Sequence, residues 1–226
     1  MVKVDVSRML ETVYCRLLSF YGPQKWWPAD TPFEVIVGAV LTQNTNWTNV
    51  EKAINNIRER DLLSVSRLES LEINELAELI RPSGYFNVKA KRLKHFIDFL
   101  STGFNGDLDK MFDLPLKLLR HLLLGVNGIG PETADSILLY AGRYPIFVVD
   151  AYTKRIFLRL GLLETEHTYK QIQDFFMENF SEDVDKYNEY HALIVRHAKE
   201  RCNKKPHCRD CPLVDLPCSY NSLNVN

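Results

Sequence analysis

An all-α fold is what this sequence predicts, and three observations carry the prediction. Apolar residues recur at spacings of three and four instead of alternating. Glycine and proline punctuate the chain at helix-length intervals. The one strand-like run, IFVV at 146–149, is short and stops at Asp150.

Taken in order, the N-terminal stretch MVKVDVSRMLETVYCRLLSFYG has no basic start, apolar run or small-residue cleavage site of the signal-peptide kind. No segment approaches the roughly 18 uninterrupted apolar residues of a membrane span, so a soluble, intracellular protein is expected. Residues 33–41 (FEVIVGAVL) read as a buried helix, the same period continues over 50–57, and Leu93, Phe96, Ile97 and Leu100 mark one apolar stripe. Breakers fall at Pro28 and Pro32, at 82–84, at 103–106, at Pro115, at 125–131 and at 142–145. This punctuation gives about ten helices joined by short loops. Residues 146–149 then become an extended lead-in to the next helix, and the polar tail after Cys218 is expected to be loose. A chain of 226 residues with 46% hydrophobic content can bury one large core or two small ones; one unit of two lobes is expected.

Charge narrows the partners. With 28 Lys+Arg against 29 Asp+Glu the net charge is −1, which excludes a nonspecific nucleic-acid coat and confines any nucleic-acid contact to a local face. Two basic runs could supply one: Lys89, Lys91, Arg92 and Lys94, and later Lys199, Arg201, Lys204, Lys205 and Arg209. The plain alternative for each is a solvated helix face or loop.

Four of the five cysteines lie within seventeen residues, as Cys202-x5-Cys208-x2-Cys211-x6-Cys218, while Cys15 stands alone. So tight a group implies one shared metal centre, since disulfides belong to oxidising compartments. Zinc accepts four thiolates, but its structural sites usually come as two C-x2-C pairs across a longer gap. A single close pair flanked by more distant partners suits a loop wrapped around a 4Fe-4S cubane, whose four irons each take one thiolate. Zinc stays the alternative. Either centre could act as a staple holding Lys204, Lys205, His207 and Arg209 toward a phosphate backbone.

Residues 125–140 (GVNGIGPETADSILLY) join two apolar helices through a glycine-rich turn, with Pro131 at the first helical position, where its missing N–H costs nothing. Gly128 and Gly130 would let backbone N–H groups crowd toward an anion at a helix N-terminus. An ordinary helix-helix turn is the competing reading. Further on, PIFVVDAYTKR presents Asp150 after a buried run. It can cap the helix that starts at Ala151, and a capping acid kept ionised by helix-terminal N–H groups can also serve catalysis.

The hairpin at 126–130, the helix after it, the Val-Asp150 acid and the four-cysteine tail stand in the order found in the helix-hairpin-helix DNA glycosylases, which this chain resembles over about residues 33–218. The resemblance implies a two-lobed helix-hairpin-helix glycosylase fold. Its six-helix lobe with the hairpin would span 32–140, and its second lobe would combine 1–31 with 141–226, carrying an iron-sulfur loop at 202–218. The acid and the base pocket would lie in the cleft between. The implied partner is damaged double-stranded DNA, met by a monomer in the cytoplasm at the nucleoid. Two departures stand out. The cysteine spacing is five-two-six where the endonuclease III pattern is six-two-five, and Glu132 occupies the position where bifunctional members carry a Schiff-base lysine. A carboxylate forms no imine with the sugar, so strand cleavage should be absent.

Glu132, together with Trp26-Trp27-Pro28, residues 38–45 (GAVLTQNT) and Trp47, resembles the 3-methyladenine branch of the endonuclease III-like glycosylases. A 3-alkylated adenine is a planar cation, and indole faces attract it by stacking and cation-π contact. Core packing is the alternative for each of Trp26, Trp27 and Trp47. A cationic base leaves easily, so Asp150 need only stabilise the oxocarbenium-like sugar or activate water, with Glu132 orienting that water or touching the base. Gln43 and Asn44, at the end of the buried helix, are candidates to fill the gap left by a flipped nucleotide, although helix C-capping also accounts for Asn44. Two competing functions stay open: a monofunctional glycosylase for mismatched or deaminated bases, and a noncatalytic, metal-stapled DNA-binding protein.

Overall fold

The computed structural model describes residues 5–222, and among them it contains helices and no strand. The chain divides into two compact units, one from Trp27–Tyr144 and one from the two flanking segments, up to Trp26 and from Pro145 onward.

The chain opens with α1 (Val6–Tyr21), started by Asp5, whose carboxylate accepts the Arg8 amide at 3.1 Å. The middle unit then begins with α2 (Pro32–Leu41), capped by Thr31 with Pro32 in its first turn and buried from Phe33 through Leu41. A helix apolar all round belongs at the centre of a core. Its one acid, Glu34, is buried and is met by Arg58 and by the Asp30 amide. Next come α3 (Trp47–Glu59), α4 (Val65–Ser70), α5 (Ile73–Leu79) and a 3-10 turn at Arg81–Ser83. Helix α6 (Phe86–Phe104) carries the expected stripe of Leu93, Phe96, Ile97 and Leu100 against α2, α4 and α5. It runs through Gly103, which the sequence suggested as a breaker. The stop is Asn105, whose φ of 57° closes the helix in the left-handed region.

Helices α7 (Leu108–Phe112) and α8 (Leu116–Gly125) lead into the hairpin, and α9 (Pro131–Ser136) leaves it, continuing as a π-helical turn over Ile137–Ala141. A two-pronged pair joins α8 to α9: Arg120 donates to the fully buried Asp135 at 2.7 and 3.0 Å.

In the other unit residues 146–149 are buried outside any helix or strand and lead to α10 (Ala151–Arg159). Then follow α11 (Tyr169–Asn179), α12 (Val184–Glu200) and a terminal turn, α13 (Ser219–Ser222). That turn corrects the expectation of a loose tail: Ser219 donates to the Arg159 carbonyl at 3.1 Å, and the Arg159 guanidinium covers the Tyr220 ring. Residues 223–226, the rest of that tail, and residues 1–4 lie outside the described residues. The core of this unit is aromatic. Phe147 stacks on Phe176 at 4.0 Å, and Tyr187, Tyr190 and Phe157 meet the pair edge-on. Leu10, Val13 and Leu17 of α1 are buried at helical spacing, and α1 packs on α11 and α12. The Tyr190 hydroxyl donates to the Leu10 carbonyl at 2.9 Å.

Candidate active site and cysteine loop

The hairpin turns on Gly128, whose φ is +93°. A side chain there would be strained, and its Cβ would lie 2.2 Å from Cγ of Arg92, so the backbone rests directly on the arginine stem. Gly130 is the N-cap of α9, with open space where a Cβ would be. Pro131 takes the first helical position, and Glu132 stands exposed in the first turn of α9. The Gln43 side chain reaches this turn. Its amide nitrogen donates to the Gly128 carbonyl at 3.1 Å and the Thr133 hydroxyl at 2.9 Å, while its oxygen accepts from Arg92. Asn44 is exposed at φ 54°, two residues past the Thr42 that closes α2, so it is a left-handed turn residue and not the cap itself.

The basic run on α6 departs from its expected role. Lys89 is buried, and its ammonium donates to the Leu41 carbonyl at 2.8 Å and the Ser83 carbonyl at 2.6 Å. Burial and the neighbouring Arg92 charge bring its pKa down to about 8. Lys94 likewise binds the carbonyls of Leu68 and Glu69 at 2.7 Å. These two lysines close helix and turn ends from within, because four C=O groups at each helix C-terminus lack intrahelical partners. Lys91 remains exposed.

Of the three tryptophans, Trp27 and Trp47 come together. Their rings meet edge to face at 5.2 Å, and Tyr140, which the sequence did not single out, lies 5.1 Å from Trp27. Trp47 is the first residue of α3 and not part of a loop. Gly38 lies close beneath this group, where a Cβ would meet the Trp27 ring tightly at 3.1 Å. Trp27 and Trp47 are half-buried, Tyr140 is buried in the π-helical turn, and Trp26 is half-buried. The signal for Tyr140 was faint, since one aromatic in an apolar helical run reads as core.

Asp150 caps α10 with one oxygen only. Its Oδ1 accepts the Thr153 amide at 2.7 Å and the Thr153 hydroxyl at 3.0 Å, while Oδ2 faces Nε2 of His191 at 3.5 Å. Burial by itself pushes this carboxyl up, but the His191 imidazole and the two Thr153 donors outweigh it, and the pKa falls below the ordinary carboxylate value. The group is therefore ionised at neutral pH, held in place, and not consumed by capping. His191 escaped the sequence reading. Its trace was a polar residue on the buried face of α12, among Tyr187, Tyr190 and Ile194.

The four cysteines line one cavity of about 330 Å3 of empty space, open solvent at its mouth included, together with Ile156, Leu160 and Leu213. Among the described residues no three His, Cys, Asp or Glu side chains are grouped so as to hold a single metal ion. Two nitrogens face the sulfurs: the Nη1 donor of Arg159 is 3.1 Å from Sγ of Cys202, and ring Nε2 of His197 is 3.8 Å from Sγ of Cys211. The other His197 nitrogen meets the Tyr21 hydroxyl at 3.0 Å. Helix α10 anchors the loop, with Arg155 donating to the Cys202 carbonyl at 2.9 Å and Arg159 to the Asn203 carbonyl at 2.9 Å. Lys204, Lys205, His207 and Arg209 are exposed on it.

The chain belongs to the HhH-GPD superfamily of base excision DNA repair proteins, whose pattern it matches over residues 37–182. It is 48% identical to a Methanocaldococcus jannaschii protein provisionally named a DNA repair glycosylase, over 95% of this chain and 98% of that one. It is 31% identical to endonuclease III of Sulfolobus acidocaldarius, covering 85% and 84%. Among solved structures it superposes with a TM-score of 0.74 on the 3-methyladenine DNA glycosylase of H. pylori, crystallised with 1,N6-ethenoadenine, at 31% identity over 87% of this chain and 98% of that one. The enzyme class is thus DNA N-glycosylase, a hydrolase of N-glycosyl bonds.

Proposed function

We propose that this enzyme hydrolyses the N-glycosidic bond of a flipped alkylated purine in double-stranded DNA, with 3-methyladenine as the foremost substrate, and leaves the abasic strand uncut. The observation that carries the substrate assignment is the Trp27–Trp47 pair, two half-buried indoles set edge to face with Tyr140 behind. Electron-rich ring faces favour a planar cation over a neutral base. The H. pylori 3-methyladenine DNA glycosylase shares this fold, which supports the reading.

The chemistry asked of the protein is modest. A cationic purine departs without a strong acid, and charge develops on the sugar. Asp150, with its Oδ2 turned away from the capping bonds, would stabilise that charge or take a proton from the attacking water. Glu132 is exposed in the first turn of α9, and by the resemblance it stands where a lyase would need an amine. Its carboxylate would orient water or contact the base. The N–H groups around Gly128 and Gly130 would take a phosphate, and Gln43 and Asn44 would meet the duplex beside them.

The four cysteines fit a 4Fe-4S cluster. All four line one cavity, and the Arg159 guanidinium donates to the Cys202 sulfur, which suits an anionic thiolate-bound centre. Such a cluster would supply rigidity to the basic loop. Cys202, Cys208, Cys211 and Cys218 would be its ligands, and Arg155 and Arg159 tie the loop to the helix that Asp150 caps.

The test is chromatography of free bases released from methylated DNA, run beside uracil and mismatched duplexes. Release of 3-methyladenine from strands that break only on alkaline treatment is expected. Preference for uracil or mismatched thymine would replace the substrate assignment, and borohydride trapping of an enzyme-DNA adduct would refute the absence of a lyase.

A further inference from the structure

The position of Gln43 allows a contact with DNA, but its side chain is already engaged within the protein. Both ends of the amide are engaged, the nitrogen by the Gly128 carbonyl and the Thr133 hydroxyl and the oxygen by Arg92. These partners come from α6, the hairpin and α9, so one side chain from the end of α2 gathers three elements. The orientation of the amide is settled by its partners, because a carbonyl can only accept and a guanidinium can only donate.

Arg92 enters this arrangement twice. Its guanidinium holds the Gln43 oxygen, and its aliphatic stem lies so close under Gly128 that no Cβ fits between them. It therefore fixes the hairpin backbone from below and the Gln43 amide from the side. We infer that Arg92 is a positioning residue for DNA engagement, keeping the α2 terminus and the hairpin as one rigid reader in which Gln43 is the latch. This rests on the glycosylase reading, in which the hairpin amides take a phosphate. It predicts that Arg92 strengthens DNA binding without neutralising a phosphate itself.

The experiment compares Arg92→Met, Arg92→Lys, Gln43→Ala and the Arg92→Met/Gln43→Ala double variant. Methionine keeps most of the stem that packs beneath Gly128 and loses the donor. Binding to a duplex carrying a tetrahydrofuran abasic analogue is measured across a salt series, and folding is followed by thermal melting. Loss of a charge-assisted hydrogen bond should weaken binding by about tenfold in each single variant. The double variant should be no weaker than the worse single one, because the two residues act as a unit. The slope of log affinity against log salt should stay at the wild-type value, and lysine, which can still donate to Gln43, should restore part of the loss.

A slope reduced by about one unit in Arg92→Met would show that the guanidinium neutralises a phosphate, and would overturn the proposal. Additive losses would overturn it as well. If Arg92→Met melts early, Thr133→Val, which removes one acceptor of Gln43 with little change of shape, supplies the same comparison, and an unchanged affinity there would count against the latch. A wild-type protein that bound no damaged duplex would defeat the glycosylase reading itself, whereas normal wild-type binding with additive variants would defeat the latch alone.

Discussion

Asp150 caps α10 through one oxygen, and the catalytic role proposed for it can be separated from capping by a single substitution. Capping uses Oδ1, and asparagine caps a helix about as well as aspartate. Asp150→Asn should therefore keep the melting temperature and DNA affinity while single-turnover excision falls by roughly two powers of ten, the charge being needed as the sugar becomes cationic. A near-normal rate with a lowered melting temperature would return the residue to capping alone. Because its pKa lies below the ordinary carboxylate value, activity should persist as pH is lowered through the usual carboxylate range, with the acid limb beneath it. Lys89 offers a second test. Lys89→Met leaves the Leu41 and Ser83 carbonyls without their donor, at a cost of about 1 to 3 kcal/mol for each buried group left unmade. The sign with pH follows from linkage: a lysine depressed to about 8 in the fold binds fewer protons there than in the unfolded chain, whose value stays near the ordinary 10.5. Relative to Lys89→Met, the wild type should gain stability as pH rises from about 8 to about 10.5. A difference that shrinks over that window would show that the ammonium is favoured by its site.

At the scale of elements, α10 joins chemistry to scaffold. Its N-terminus is capped by Asp150, and Arg155 and Arg159 farther along it hold the cysteine loop by its carbonyls. Purified anaerobically, the protein should be brown, absorb broadly near roughly 400 nm and contain about four irons per chain. Colourless, active protein with stoichiometric zinc would replace the cluster by a zinc staple. The hairpin shows a comparable division of labour. Gly128 serves its shape, by positive φ and by the Arg92 stem below, whereas Gly130 has open space beside it and serves as the N-cap of α9.

At the scale of the whole molecule, a net charge of −1 means that attraction to DNA must come from local faces. The exposed Lys204 and Lys205 of the cysteine loop would supply one such face. Replacing both by alanine should lower the slope of log affinity against log salt by roughly two units if each neutralises one phosphate, at about 0.9 per contact. An unchanged slope would remove the loop from the DNA surface. None of the helices among the described residues is long and apolar enough to cross a membrane.

The helices, the hairpin and the cysteine group were legible in the sequence because each rests on local rules: apolar period, a glycine where φ is positive, a proline at the first helical position, an acid before a helix, and thiols close along the chain. Family membership followed from their order. What the tertiary structure alone decided are the partners brought from far along the chain. His191 faces Asp150 from a helix 41 positions on, Tyr140 completes the Trp27 group, Arg92 reaches Gln43, and Lys89, which reads as a surface charge, closes α2 from inside. Side-chain type and local spacing do not say which buried polar group will meet which. That depends on how the helices pack, because only packing determines where desolvation makes a hydrogen-bond partner obligatory.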